Sequence, residues 1–357
     1  HNFMKDYAKE LKELILTTIK EGASDLHITV GRHPTIRVFG SLIPLFKNPI
    51  LTAEDAEGLV SEMLSEGDRK LLKEQKELDF SYAFEDKSRF RVNAFTQRGY
   101  LGAALRLISN KAKTVKELNL PAILSDFAKK EQGFFLVVGP IGHGKSTTLA
   151  SMVEEINHTS AKHIMTVEDP MEYLFVQDKS IIDQREVRFD TVDFKTALRS
   201  MFRQDINVAM IGEMRDVETI STAVTAAETG HLILSSLHTN NAAQTVDRII
   251  DSFPSNQQNQ IRVQLASVLI GIFSQRLVPR ISGGRIPAYE LLISTPAVRT
   301  LIREGRAHEL DTVIETNYEM GMVSLNRSLA SLARSGEITM KDAVSHSLNP
   351  KGLESLL

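Results

Sequence analysis

Phe134-Phe-Leu-Val-Val-Gly-Pro-Ile-Gly-His-Gly-Lys-Ser-Thr-Thr148 is the stretch whose reading decides the fold. Phe134 to Val138 is a short apolar run, rich in aromatic and β-branched residues, of the length of a buried strand. Gly139, Pro140, Ile141, Gly142, His143, Gly144, Lys145, Ser146 and Thr147 then fit the pattern G-x-x-x-x-G-K-[ST]. From Ser146 to Ile156 the spacing predicts a helix, because Leu149, Met152, Val153 and Ile156 share one face.

That order of strand, glycine loop and helix start is a cradle for phosphate. Backbone N–H groups crowd around anionic oxygens only where the chain wraps tightly, which accounts for Gly139, Gly142 and Gly144. The free amides and positive dipole end of the following helix add to the field. Lys145 has the reach for β- and γ-phosphates, and the Ser146 hydroxyl can ligate Mg²⁺, so the loop is read as binding a nucleoside triphosphate.

Working outward, 357 residues with 42% hydrophobic content predict a globular chain long enough for two domains. The net charge of -3, 6% aromatic content and absence of Trp argue against a nucleic-acid motor, which needs a basic groove with stacking aromatics. Without cysteine there is no disulfide and no cysteine-ligated zinc. No apolar run reaches membrane-spanning length and no signal peptide is evident, so a cytoplasmic location is expected. Residues 1–3, ahead of Met4, read as left over from cloning and are set aside.

The first 110 residues predict a small α+β domain, 4–110. It combines an amphipathic helix over 5–20, strands at Ser24–Val30, Thr35–Phe39, Leu78–Phe84, Ser88–Gln97 and Gly99–Ile108, and a helix capped by Thr52. The polar, lysine-rich residues 111–120 read as a linker, and 121–357 as a second domain with a helical C-terminal region. There, apolar strands at Phe134–Val138, His163–Val167, Val208–Ile211 and Leu232–Ser236 alternate with helices. That pattern predicts an α/β class with a mostly parallel sheet covered on both faces.

Two more strand ends carry acids: Thr166-Val-Glu-Asp-Pro-Met-Glu172 and Val208-Ala-Met-Ile-Gly-Glu-Met-Arg-Asp216. Ligands of parallel sheets sit at the carboxyl ends of strands, so Glu168, Asp169, Glu172 and Glu213 are candidates for the Mg²⁺ shell and for activating water. His231 and His238 bracket the fourth strand, either as γ-phosphate sensors or as holders of a subunit interface.

Together with Gly212-Glu-Met-Arg-Asp216, Thr229-Gly-His231 and Leu237-His-Thr239, these stretches resemble the Walker A, Asp, Walker B and His boxes of the type II/IV secretion ATPase superfamily. Gly22-Ala-Ser-Asp-Leu-His27 and Arg89-Phe-Arg-Val-Asn93 resemble its N-terminal domain, so the likeness covers nearly the whole chain. Within the superfamily the chain is most similar to the pilus retraction ATPases. It lacks the tetracysteine zinc insertion common among assembly and secretion members, and Thr295-Pro-Ala-Val-Arg-Thr-Leu-Ile-Arg-Glu304 resembles a segment associated with retraction.

The resemblance implies a RecA-like P-loop ATPase domain behind a PAS-like N-terminal domain, in a hexameric ring with ATP and Mg²⁺ bound at subunit boundaries. It implies Lys145 on the phosphates, Ser146 on Mg²⁺, Glu172 as catalytic base and Glu213 in the Mg²⁺ water shell. Arg91 and Arg98 would approach the triphosphate, with Arg106 a weaker candidate, and His238 would join the catalytic set. The implied role is a motor for pilus retraction and twitching motility, at the cytoplasmic side of the inner membrane, acting through a membrane platform protein. A pilus-assembly or type II secretion ATPase is the alternative within the superfamily. A nucleotide-dependent interaction protein with little turnover is the non-enzyme alternative. Ile141 and His143 replace small hydroxyl residues of the usual loop, and Asp205-Ile-Asn207 stands where Asp-Pro-Asp is common.

Overall fold

The computed structural model describes residues 4–86 and 88–357. The expectation about residues 1–3 falls outside them. The chain divides into two compact units, one running to Asn110 with Glu172–Leu174 added, the other Lys111–Met171 with Phe175–Leu357.

The first unit begins with α1 (Tyr7–Lys20), capped by the Asp6 side chain on the Lys9 amide and burying Leu11, Leu14 and Ile15. Strands β1 (Asp25–Ile28), β2 (Thr35–Val38) and β3 (Ser41–Pro44) precede α2 (Ala53–Glu62) and α3 (Glu66–Gln75). β4 (Glu77–Phe84), β5 (Ser88–Gln97) and β6 (Tyr100–Ile108) complete a six-stranded antiparallel sheet in the order β3-β2-β1-β6-β5-β4. The β5–β6 turn holds Arg98 and Gly99 at positive φ, 50° and 82°, the twist a two-residue hairpin needs. Residues 172–174 belong here because Tyr173 bridges to Ser109 beyond β6, and the Leu174 amide donates to the Ser109 carbonyl at 3.0 Å.

Thr52 caps α2 through a reciprocal capping box with Asp55. Buried Asp55 also takes bonds from Lys5 Nζ at 2.7 Å and Tyr7 Oη at 3.1 Å. Burial alone would raise its pKa, but the bonds from Lys5, Thr52 and Tyr7 win and hold the carboxyl down at about 2. A depressed carboxylate stabilises the fold above its ordinary value of 3.8, and that contribution is lost as the pH falls towards 2. Asp55→Ala is expected to cost about 2 kcal/mol of local stability at neutral pH, seen as faster hydrogen exchange in α1 and α2. Unchanged exchange would mean the cap and the buried bonds contribute nothing.

The second unit is built on β7 (Gly133–Val138), which follows α4 (Ile123–Ala128) and is buried at every position. Its side chains alternate between two cores. Phe134, Leu136 and Val138 join one, Phe135 and Val137 the other, as expected of a strand covered on both faces. Next come α5 (Lys145–Thr159), β8 (His163–Glu168), β9 (Ile181–Glu186), α6 (Phe194–Met201), β10 (Val208–Ile211), α7 (Val217–Glu228) and β11 (Leu232–Leu237). After α8 (Ala242–Asp251) and α9 (Gln258–Val268), β12 (Leu269–Pro279) and β13 (Arg285–Ile293) form an antiparallel pair. The sheet order is β13-β12-β7-β11-β10-β8-β9, parallel apart from the β12–β13 pair. Phosphate loop, Glu213 and His238 thus follow the C-terminal ends of β7, β10 and β11.

Helices α10 (Pro296–Arg303), α11 (Leu310–Thr316), α12 (Leu325–Arg334), α13 (Met340–His346) and α14 (Pro350–Glu354) form the C-terminal region. Leu325, Leu329, Ile338, Ala343 and Leu353 bury against Val278, Ile286 and Ala288 of β12 and β13. The expected linker is not uniformly solvated. Val115 and Leu120 are buried in the second unit's core, and Thr114 and Glu117 exchange side chain-to-amide bonds that close a turn. Four strands were not expected from sequence: β3, β9, β12 and β13. Among the described residues no helix is long and apolar enough to cross a membrane.

Candidate functional site

At the end of β7 the chain turns through Gly139, whose φ of 150° excludes ordinary side chains. A Cβ there would lie 2.5 Å from the Gln275 carbonyl oxygen, so the loop passes β12 too closely for anything but glycine. Gly144, at φ 81°, is the N-cap of α5, and no side chain caps this helix. A loop that wraps tightly and delivers an uncapped helix N-terminus is an anion cradle. Ser146 is exposed in the first turn of α5, and Ile141 is 81% exposed at the loop tip.

Lys145 is buried, with Nζ donating to the carbonyls of Gly139 at 2.6 Å and Pro140 at 3.1 Å. Nζ also lies 2.6 Å from His238 Nδ1. An ammonium only donates, so Nδ1 accepts and the ring hydrogen sits on Nε2, which meets Glu213 Oε1 at 2.5 Å. Arg215 pairs with the other Glu213 oxygen at 2.6 Å. Lysine, histidine, glutamate and arginine therefore form one chain of donors and acceptors. Burial lowers the Lys145 pKa to about 8, against the opposing pull of Glu213.

The remaining predicted residues divide. In the first unit Arg91 Nη1 lies 3.7 Å from Glu172 Oε1, both half-exposed, a pairing worth at most about 1 kcal/mol. Arg98 is seven positions further along, about 23 Å by strand rise, so the structure does not group it with Arg91. Arg106 faces Arg91 across the sheet but is engaged by Asp25 at 3.0 Å. In the second unit Glu168 is buried and accepts from Thr166 Oγ1 at 2.8 Å and Gln184 Nε2 at 3.3 Å, bonds that tie it to the β8–β9 edge. Asp169 faces Arg188 at 3.7 Å.

His231 precedes β11 and His238 follows it, with six strand residues between them and a separation of about 23 Å by strand rise. The two histidines therefore lie at opposite ends of the sheet. His231 Nδ1 meets the Ala226 carbonyl at 3.0 Å and its ring packs edge-on against Phe202 at 5.1 Å. Of the two roles open to it, sensing phosphate at this chain's own loop is removed by that distance.

Three contributors escaped sequence reading. Gln275 on β12 accepts from Thr148 Oγ1 at 2.5 Å and donates to the His143 carbonyl at 2.8 Å. Arg276, buried beside it, donates to the Asn240 carbonyl at 2.7 Å just beyond His238. Glu290 of β13 accepts the Ala242 amide at 2.8 Å, and its burial pushes the carboxyl up to about 7. All come from the unexpected hairpin. A cavity of about 410 Å³ adjoins the loop, with Gly144, Thr147 and Thr148 on one side and Leu120, Leu277 and Pro287 among the apolar walls.

The described type II/IV secretion system protein family matches residues 5–344. The chain is 41% identical over 334 residues to the type IV pilus retractation ATPase PilT of Pseudomonas aeruginosa, spanning 94% of this chain and 97% of that protein. It is 40% identical over 349 residues to the type IV pilus ATPase PilU of the same organism, spanning 98% and 91%. A crystal structure of the pilus retraction motor PilT with bound ADP superposes with a TM-score of 0.89 at 45% identity, covering 96% of this chain and 98% of that one.

Proposed function

The chain belongs to the type II/IV secretion system protein family, and from that premise we propose that it is an ATP-hydrolysing motor of type IV pilus retraction. The observation that carries this reading is the convergence of Lys145, His238 and Glu213 at the ends of β7, β11 and β10, in a chain alike over nearly its whole length to a retraction motor that binds ADP. The second domain, 121–357, is RecA-like and the first, 4–110, PAS-like, joined through 111–120. The working form is a homo-hexamer, peripheral to the inner membrane, that pulls on the pilus through a membrane platform protein.

The residues fit a Mg²⁺-nucleotide. Among the described residues no three His, Asp or Glu side chains are arranged to cage a metal. Mg²⁺ prefers a few hard oxygens and keeps its remaining positions for water and phosphate, and the Ser146 hydroxyl and Glu213 carboxylate are donors of that kind. Bound there, the ion would neutralise charge on the phosphates. The loop amides and Lys145 bind and orient the triphosphate, and the cavity beside Thr147 takes the nucleoside. Glu172 takes the proton of the attacking water, and Arg91, which already faces a carboxylate, is the guanidinium suited to the transferring phosphoryl group.

The test has two arms. The purified chain should hydrolyse ATP in the presence of Mg²⁺, and cells lacking its gene should keep surface pili while losing twitching. Loss of the pili themselves would assign assembly instead. A chain without turnover would be a nucleotide-dependent interaction protein.

A further inference from the structure

Three hydrogen bonds tie the tip of the phosphate loop to β12 and α5. The Leu277 amide donates to His143 Nδ1 at 3.0 Å, Gln275 Nε2 donates to the His143 carbonyl at 2.8 Å, and Thr148 Oγ1 donates to Gln275 Oε1 at 2.5 Å. Gln275 is 2% exposed, so neither end of its amide has water as a substitute partner. We propose that His143 and Gln275 are positioning residues that brace the phosphate loop in its nucleotide-binding shape, and that protonation of His143 releases the loop tip and weakens nucleotide binding. The inference rests on the reading of this loop as the nucleotide site.

The chemistry is set by the donor. A backbone amide only donates, so His143 Nδ1 must carry a lone pair and the ring hydrogen must sit on Nε2. An added proton would place N–H against N–H and break the link. The groups acting on His143 from the packed elements are Arg276 of β12, Arg285 of β13, Lys145 of α5 and His346 of α13. Arg285 also donates to the Gly142 carbonyl at 3.3 Å. Each of the four disfavours a charge on His143, and none is a carboxylate that would welcome an imidazolium. Burial first, then these charges, hold the His143 pKa below its ordinary 6.5. The brace is therefore closed at neutral pH and opens only in acid. Its role is positional, because His143 supplies neither the lysine nor the Mg²⁺ hydroxyl.

The experiment is titration of the full chain with a fluorescent ADP analogue at pH 8, 7 and 5.5, paired with steady-state ATPase at pH 8. Wild-type affinity should be several-fold weaker at pH 5.5 than at pH 7, with the pH 8 point serving as the common reference for the variants. His143→Leu, which keeps bulk but has no acceptor, should bind roughly tenfold more weakly at pH 8, with KM raised more than kcat is lowered. His143→Asn offers Oδ1 to the same amide, so it should recover most of the affinity and lack the acid loss. Gln275→Leu should weaken binding to a similar degree. Wild-type affinity in His143→Leu, or an acid loss that persists in His143→Asn, would overturn the brace while leaving the ATPase reading intact. Absence of analogue binding by the wild-type chain would instead sink that reading and the brace with it.

Discussion

Lys145→Ala is expected to lower kcat/KM for ATP about a thousandfold, with nucleotide affinity falling alongside turnover. The side chain enters a buried position at the root of the loop and donates to the Gly139 and Pro140 carbonyls and to His238. Truncation removes the ammonium at the root of the phosphate loop and leaves those acceptors facing a cavity. It also deletes the donor that fixes the His238 tautomer. Because kcat/KM reports ionisations of the free enzyme, the wild-type profile should also decline above about pH 8, where Lys145 loses its proton. Steady-state hydrolysis across pH measures both effects, with circular dichroism to confirm folding. Activity within tenfold of wild type in Lys145→Ala would remove the lysine from the reaction.

The parallel strands that carry the site were legible because burial on both faces makes them continuous apolar runs: β7, β8, β10 and β11 appear in the sequence nearly as they stand in the sheet. β12 was not, for a physical reason. α9 ends at Val268 and β12 starts at Leu269, so no glycine or proline separates helix from strand, and Ile261, Leu265, Val268, Leu269 and Ile272 continue one apolar rhythm. β9, Ile-Ile-Asp-Gln-Arg-Glu, is a polar edge strand, and β3 is short and mostly exposed, so neither carries the burial signature of a strand.

The site was legible to the extent that it is local. Gly139 to Thr147 is one motif whose spacing holds its meaning, and Glu213 and His238 follow strands that could be read. Gln275 acts on the loop from 132 residues away and Arg276 holds the Asn240 carbonyl just beyond His238, both from the strand that periodicity concealed, and a buried glutamine has no motif of its own. The histidine pair shows the opposite limit. The sequence placed His231 and His238 at the two ends of one strand but offered both the same pair of roles, and only the sheet shows that the loop lies at the His238 end. The linker follows the same logic: lysines at 111, 113 and 116 look solvated, yet Val115 and Leu120 are enough to seat the segment on a core.

Glu213→Gln is the second substitution expected to act by orders of magnitude, lowering kcat roughly 10²- to 10³-fold while changing nucleotide affinity only several-fold. One Glu213 oxygen accepts from His238 and the other from Arg215, so both are used by donors. An amide has one acceptor and one donor face. Whichever way Gln turns, an NH₂ meets either the imidazole N–H or the guanidinium, and one link of the Lys145–His238–Glu213–Arg215 chain is lost. The substitution also removes the negative charge that favours the ammonium form of Lys145 and the carboxylate offered to Mg²⁺. The loop amides and Lys145 remain, which is why binding survives where Lys145→Ala loses it. If Glu213 acts partly by orienting His238, then Glu213→Gln with His238→Ala should lose little more than the worse single variant, as residues acting as a unit do. Losses that multiply across the two positions would instead make histidine and glutamate independent contributors, and the 2.5 Å contact between them incidental to turnover.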